Sequence, residues 1–157
     1  MKKVVFADTN IFVSIFCFPK KKERLSLAHE LLEAVTNNEV ELLLTDVVAQ
    51  EFEHVVTRNQ HFLKYFTEMK MAFLKLEIIE TPIIDVNLYS HIESICEDKN
   101  DVAILSSAIS LRSVKEYQYL LTNDFENFHT EKVKAFLKNY ELQAISMYGL
   151  LKILDRR

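Results

Sequence analysis

Lys3-Val4-Val5-Phe6-Ala7-Asp8-Thr9-Asn10 decides how the rest of the chain is read. A short apolar run that stops abruptly at an acid reads as a buried strand with a carboxylate at its end. Working outward, residues 41–45, 77–80, 118–121 and 142–145 read as four further strands. Between them lie helical patterns. Ile11, Phe12, Val13 and Phe16 fit a short helix ending before Pro19. Leu27, Leu31, Leu32 and Val35 recur at helical spacing and stop at the turn signal Asn37-Asn38. Asp46 is placed to cap a helix reaching about Thr57, and further helices fit 61–75, 85–97, 101–112 and 130–139. A last one starts at Ser146.

Parallel neighbours need a crossover, and a helix supplies it, so strands alternating with helices imply a parallel sheet. Right-handed crossovers put helices on both faces. The expected fold is therefore α/β, a three-layer α/β/α sandwich around a central, mostly parallel five-stranded sheet. No linker, repeat or low-complexity tract divides residues 1–157, which read as one domain. Ligands of such sheets gather beyond the carboxyl ends of the strands, where strand order reverses.

Composition agrees with a self-sufficient core. The chain has 157 residues, 49% of them hydrophobic, with one glycine and two prolines, which excludes disordered and collagen-like classes. No apolar run approaches the roughly 20 residues of a bilayer span. The basic start is signal-like, yet Asp8 interrupts its apolar stretch and no small-residue cleavage site follows. Cys17 and Cys96 lack a CxxC partner, so neither a zinc site nor a disulfide framework is indicated. A cytoplasmic protein without membrane attachment is expected. A net charge of −4 counts against a phosphate-rich partner, unless several acids hold metal. Two divalent cations would bring the loaded protein near neutrality.

Four acids stand out. Asp8 and Asp124 each follow a strand, in Ala7-Asp8-Thr9-Asn10 and Leu121-Thr122-Asn123-Asp124. Either one alone would read as a cap or turn residue. At 100° per residue, Glu51 lies about 60° from the centre of the apolar face formed by Val47, Val48, Phe52, Val55 and Val56, and Glu53 about 140° away. Glu51 thus flanks the buried stripe, while Glu53 faces water. Asp101 falls near the middle of the face formed by Val102, Ile104, Leu105, Ala108 and Ile109. It either caps its helix, where the dipole favours a negative charge, or serves a partner. Two carboxylates about 5 Å apart repel by roughly 3 kcal/mol at an effective dielectric near 20. Four in one pocket require cations or shared protons. Oxygen donors without thiolate or histidine suit Mg²⁺ or Mn²⁺, one ion or two, and the chemistry such a site supports is phosphoryl transfer.

These stretches, with Val47-Val48-Ala49-Gln50-Glu51, Asn100-Asp101-Val102-Ala103-Ile104-Leu105 and Leu120-Leu121-Thr122-Asn123-Asp124-Phe125, resemble in order and spacing the PIN-domain nucleases. That family includes the ribonuclease toxins of toxin–antitoxin pairs. The resemblance implies that Asp8, Glu51, Asp101 and Asp124 bind Mg²⁺ or Mn²⁺ and hydrolyse single-stranded RNA, leaving a 5′-phosphate and a 3′-hydroxyl. It implies that Thr9, Asn10, Thr122 and Asn123 position the acids or water. An antitoxin protein and a second copy of the chain are the partners it suggests. The chain departs from the family in lacking a glycine at Ser110–Gln118 and after Asp124. There Glu126 is either an extra ligand or an exposed loop acid.

Lys20, Lys21, Lys22 and Arg24 form either a basic lip for RNA phosphates or a solvated loop. Phe62, Tyr65, Phe66, Met69 and Phe73 recur at helical spacing as core or a dimer face. The five histidines show no metal-ligand spacing, and Arg58-Asn59-Gln60 breaks the helix between His54 and His61. Asp8 would also suit an aspartyl-nucleophile phosphatase, but Asn10 stands where such enzymes want a second aspartate. A receiver domain would want a lysine after a late strand. A PIN-like module that holds RNA or protein without cutting is the remaining alternative.

Overall fold

The computed structural model describes residues 1–17, 26–63 and 76–156. Lys20, Lys21, Lys22 and Arg24 lie outside the described residues, as do Tyr65, Phe66, Met69 and Phe73. In chain order the elements are β1 (Lys3–Ala7), α1 (Thr9–Cys17), α2 (Leu27–Thr36), β2 (Val40–Thr45), α3 (Asp46–Arg58), α4 (Gln60–Leu63) and β3 (Ile78–Ile79). Then come α5 (Val86–Glu93), α6 (Lys99–Leu111), β4 (Tyr119–Leu121), α7 (Glu131–Lys138), β5 (Gln143–Ile145) and α8 (Met147–Ile153).

The strands form one sheet in the order β3-β2-β1-β4-β5, and every pair is parallel. Successive strand residues face opposite sides. Val5, Phe6 and Ala7 are all fully buried, as are Leu43 and Leu44 almost completely, so both faces of the sheet are covered. That is the expected three-layer α/β sandwich, with the sheet wholly parallel. Sequence order reverses between β1 and β4. Ala7 pairs with Leu121, and the Asp8 N–H donates to the Leu121 carbonyl at 3.0 Å. The two chain segments therefore leave the sheet side by side, at the switch point where ligands collect.

The helix starts depart from expectation in ways that bear on the acids. Thr45, not Asp46, is the cap of α3: its hydroxyl accepts from the Val48 N–H. Asp46 opens the helix and is drawn elsewhere, accepting from the Val47 N–H, the Thr81 N–H at 3.0 Å and the Thr81 hydroxyl at 2.5 Å. This ties the segment after β3 to α3. In α6 the cap is Asp98, whose carboxylate accepts from the N–H groups of Asn100 and Asp101. The capping role weighed for Asp101 is thus filled three residues earlier. α5 is capped by Asp85 and stops at Glu93, four residues short of the expected end. α3 and α4 break at Asn59, as the sequence suggests.

α6 is buried on more than one side. Beyond the apolar face, Ser106 and Ser107 are fully buried. Ser107 donates to the Thr45 hydroxyl at 2.9 Å and lies 2.9 Å from that of Thr81, whereas Ser106 has no hydrogen-bond partner among the described residues. At the chain's end, Arg156 grips Glu39 with a two-point ion pair and reaches Glu33, fastening the segment after α8 to the α2–β2 connection. Asn38, in that connection, holds φ 60, a left-handed conformation that asparagine tolerates.

Candidate functional site

Asp8, Glu51, Asp101 and Asp124 line one cavity of about 280 Å³, together with Thr9, Asn10, Val13, Val55 and Ile104. The four acids come from the end of β1, the middle of α3, the first turn of α6 and the segment after β4. Asp8 is the most enclosed, at 3% exposure. One of its oxygens accepts from the Thr9 N–H at 2.6 Å. The other accepts from the Thr122 hydroxyl at 2.7 Å and the Asn10 amide at 2.9 Å. Glu51 is half-buried on the flank of α3, with Phe52 buried beside it and Glu53 exposed, as the helical angles require. Its carboxylate accepts from the Thr9 hydroxyl.

Asp124 accepts from the backbone N–H and side-chain amide of Asn127 at 3.1 and 2.9 Å. Asp101 differs from the other three. Its own backbone N–H serves the Asp98 cap, and no hydrogen bond to its carboxylate is present among the described residues. It is half-buried on a helix whose residues 104–109 are all buried.

Charge accumulates accordingly. Burial pushes the Asp8 carboxyl up to about 6, with Glu51 and Asp124 adding repulsion, against the hydrogen bonds from Thr122 and Thr9. Asp101 is pushed up to about 7, first by burial and then by Asp124, Asp98, Asp8 and Glu51. The same negative charge, added to burial, raises the Cys96 thiol to about 11 and leaves it a neutral packing group. A cluster that holds protons at mildly acidic pH for want of positive charge is a set of donors suited to a hard cation.

Among the described residues no three His, Cys, Asp or Glu side chains are already arranged as a metal-ligand group. Glu51 accepts from Thr9 through one oxygen, and Asp124 accepts from Asn127 through both. The donor chemistry fits a divalent ion, and these carboxylate oxygens keep lone pairs beyond the hydrogen bonds they accept.

The neighbours of the acids divide. Thr9 and Asn10 touch them directly, and Thr122 does so while fully buried. Asn123 does not. Its side-chain oxygen accepts from the Met147 N–H, and its backbone N–H donates to Asn10, so it links the site to α8. Glu126 is exposed and does not line the cavity. Sequence reading missed Asn127, Asp98 and His129. Asp98 carries the Asx-turn signal of a side chain bonding backbone nearby, and Asn127 is the partner of the same kind of turn made by Asp124. His129, whose Nε2 lies 2.9 Å from the Thr122 carbonyl, carried no signal.

A PIN domain family model matches residues 3–126, a span that includes all four acids. No significant match is found among curated proteins. Among solved structures, the fold resembles a chain of VapBC2 from Rickettsia felis bound to a DNA fragment from its promoter. The TM-score is 0.62 at 19% identity, covering 91% of this chain and 98% of that one. A chain of DNA-bound VapBC from Salmonella typhimurium gives 0.58 at 14% identity, covering 94% and 99%. At such identities the structures speak to fold alone, but the family model runs from β1 to the turn after Asp124. The chain belongs to the PIN-domain family.

Proposed function

We propose that this chain is an endoribonuclease that hydrolyses phosphodiester bonds of single-stranded RNA, with Mg²⁺ or Mn²⁺ held by Asp8, Glu51, Asp101 and Asp124. The observation that carries this is the convergence of four carboxylates, from four separate segments, on one cavity at the β1/β4 switch point. When bound, a divalent cation lowers the pKa of water and offsets charge on the attacked phosphate. The chain's own residues do the rest. Thr122 and Asn10 fix the orientation of Asp8, and Thr9 does so for Glu51. Val13, Val55 and Ile104 wall the cavity with apolar surface, which strengthens electrostatics inside it. Asp101, whose carboxylate accepts no hydrogen bond among the described residues, is the carboxylate most ready to take a ligand or a proton.

The family and the likeness in fold to chains of VapBC complexes support a further step. We take the protein to be the toxin of a toxin–antitoxin pair, acting in the cytoplasm, with an antitoxin and a second copy of itself as partners and with residues 1–157 as one domain. No described helix is long and apolar enough to cross a membrane. One observation favours the alternative of a module that binds without cutting: Glu51 and Asp124 already accept hydrogen bonds from Thr9 and Asn127.

Cleavage of a 5′-labelled single-stranded RNA in Mn²⁺, Mg²⁺ or EDTA separates the two. The nuclease cuts with either metal, leaves 5′-phosphate ends and stops in EDTA. Folded, metal-loaded protein that binds RNA without cutting it would establish the silent module.

A further inference from the structure

The turn after Asp124 carries an aromatic pair that the acidic cavity does not use. Phe125 is 61% exposed, yet its ring is held in place. It stacks on the His129 imidazole with centroids 4.7 Å apart and planes 26° from parallel. His129 is fixed in turn by Nε2, 2.9 Å from the Thr122 carbonyl. A carbonyl only accepts, so that nitrogen carries the proton and the ring orientation is set. Below the pair, Phe128 is buried and its N–H closes the turn on the Asp124 carbonyl at 3.1 Å. A water-facing phenyl ring is thus pre-ordered one residue, about 3.8 Å along the backbone, from an acid of the cavity. Its anchor is Thr122, the residue whose hydroxyl holds Asp8.

We propose that Phe125, backed by His129, is a stacking platform for a nucleobase of the single-stranded RNA whose phosphodiester enters the acidic cavity. The proposal rests on the ribonuclease reading. Three considerations favour a base over other occupants. The chain is acidic overall, at −4, and its cavity gathers carboxylates, so a contact that needs no cationic side chain adds attraction near the site independently of charge. Stacking is such a contact, and it tolerates any base. The second is geometry: bases flank the phosphodiester, and Phe125 directly follows Asp124. The third is isolation. Along the turn, Phe125 is the one exposed apolar side chain, between Asp124 and the exposed polar Glu126 and Asn127, with Phe128 buried. His129 is a positioning residue, since it stiffens Phe125 and does not itself face the base.

The chain has no tryptophan, so Phe125→Trp introduces a single reporter. In an Asp101→Asn background, which keeps RNA intact, decaadenylate should quench its emission saturably, while an abasic ribose-phosphate decamer should not. Wild type and Phe125→Ala are then compared for cleavage kinetics, with circular dichroism to verify equal folding. Phe125→Ala should raise KM roughly 5- to 150-fold, with kcat little changed, and Phe125→Tyr should restore it. His129→Ala should raise KM less. Equal quenching by both decamers, or a KM for Phe125→Ala within about twofold of wild type, overturns the platform. So does a wild-type dimer that Phe125→Ala dissolves while KM stays put, which would make the ring a protein contact. Wild type that cuts no RNA while decaadenylate still quenches the reporter refutes the ribonuclease reading and leaves the stacking site standing.

Discussion

Thr122 donates its buried hydroxyl to Asp8 across 2.7 Å and so joins the ends of β4 and β1, 114 residues apart. The same oxygen accepts from the Asn10 amide at 3.2 Å and the Asp124 N–H at 3.1 Å. One donor and two lone pairs are the full capacity of a hydroxyl, and all are used. Thr122 therefore fixes two of the four acids at once.

Thr122→Val keeps the shape and removes all three bonds. It should lower stability by about 1–3 kcal/mol and cleavage by roughly 10- to 100-fold, while Thr122→Ser retains most of both. Chemical denaturation and initial rates on one RNA check the pair. A fully active Val variant would show that Asp8 needs no such support.

Without metal, stability should depend on pH in an unusual direction. Asp8 and Asp101 have folded-state values of about 6 and about 7, above the ordinary 3.8. Their contribution is complete below the unfolded value and is lost as pH rises through 6 to 7. For enclosed Asp8 this is about 2–3 kcal/mol, and for half-exposed Asp101 less, because solvent screens it. At the acid end, burial raises Asp46, but the Thr81 and backbone hydrogen bonds outweigh it and hold the carboxyl below its usual value. Arg156 likewise lowers Glu39. Those contributions are present above the unfolded values and disappear as pH falls through the folded ones. Melting temperature in EDTA should therefore be highest at about pH 4–5, fall as pH rises to about 7 and level off above that, and Mn²⁺ should abolish the fall.

Asp98 and Asp101, three residues apart, should respond oppositely. Asp98→Ala removes the cap of α6 and should cost about 1 kcal/mol. Asp101→Asn removes a repelled carboxylate and should raise the melting temperature in EDTA while abolishing cleavage. Thermal scans of the two variants decide it. A marked loss of stability in Asp101→Asn would return the capping role to that residue.

Adjacent serines of α6 make a second opposed pair. Ser107→Ala breaks the links to Thr45 and Thr81 and should cost about 1–2 kcal/mol. Ser106→Ala removes a buried hydroxyl that has no partner among the described residues, and should be neutral or stabilising. Urea titrations of both variants measure the difference.

Much of this was legible in the chain, for identifiable reasons. Val4 to Ala7 and Leu42 to Leu44 are apolar on both strand faces, which marked them as buried strands, their alternation with helices implied the parallel sheet, and helix phase alone put Glu51 on a buried flank and Glu53 in water. Cap identity was harder. At α3, Thr45 and Asp46 are both good capping types, and their contacts with Ser107 and Thr81 are distant in sequence; at α6, Asp98 and Asp101 are both good capping types three residues apart. β3 shrank to Ile78–Ile79, because an edge strand pairs along one side only. That Asn123 serves α8 and not the acids depends on Met147, 24 residues away, and local pattern carries no trace of it.

The central claim is that Asp8, Glu51, Asp101 and Asp124 act as one cation site. Calorimetric titration of Mn²⁺ into metal-free protein at neutral pH, beside Asp101→Asn prepared identically, tests it most directly. Saturable binding by the wild type, with protons released and with binding lost or greatly weakened in the variant, is the expected result. Equal binding by both proteins, or none by folded wild type, would contradict the account.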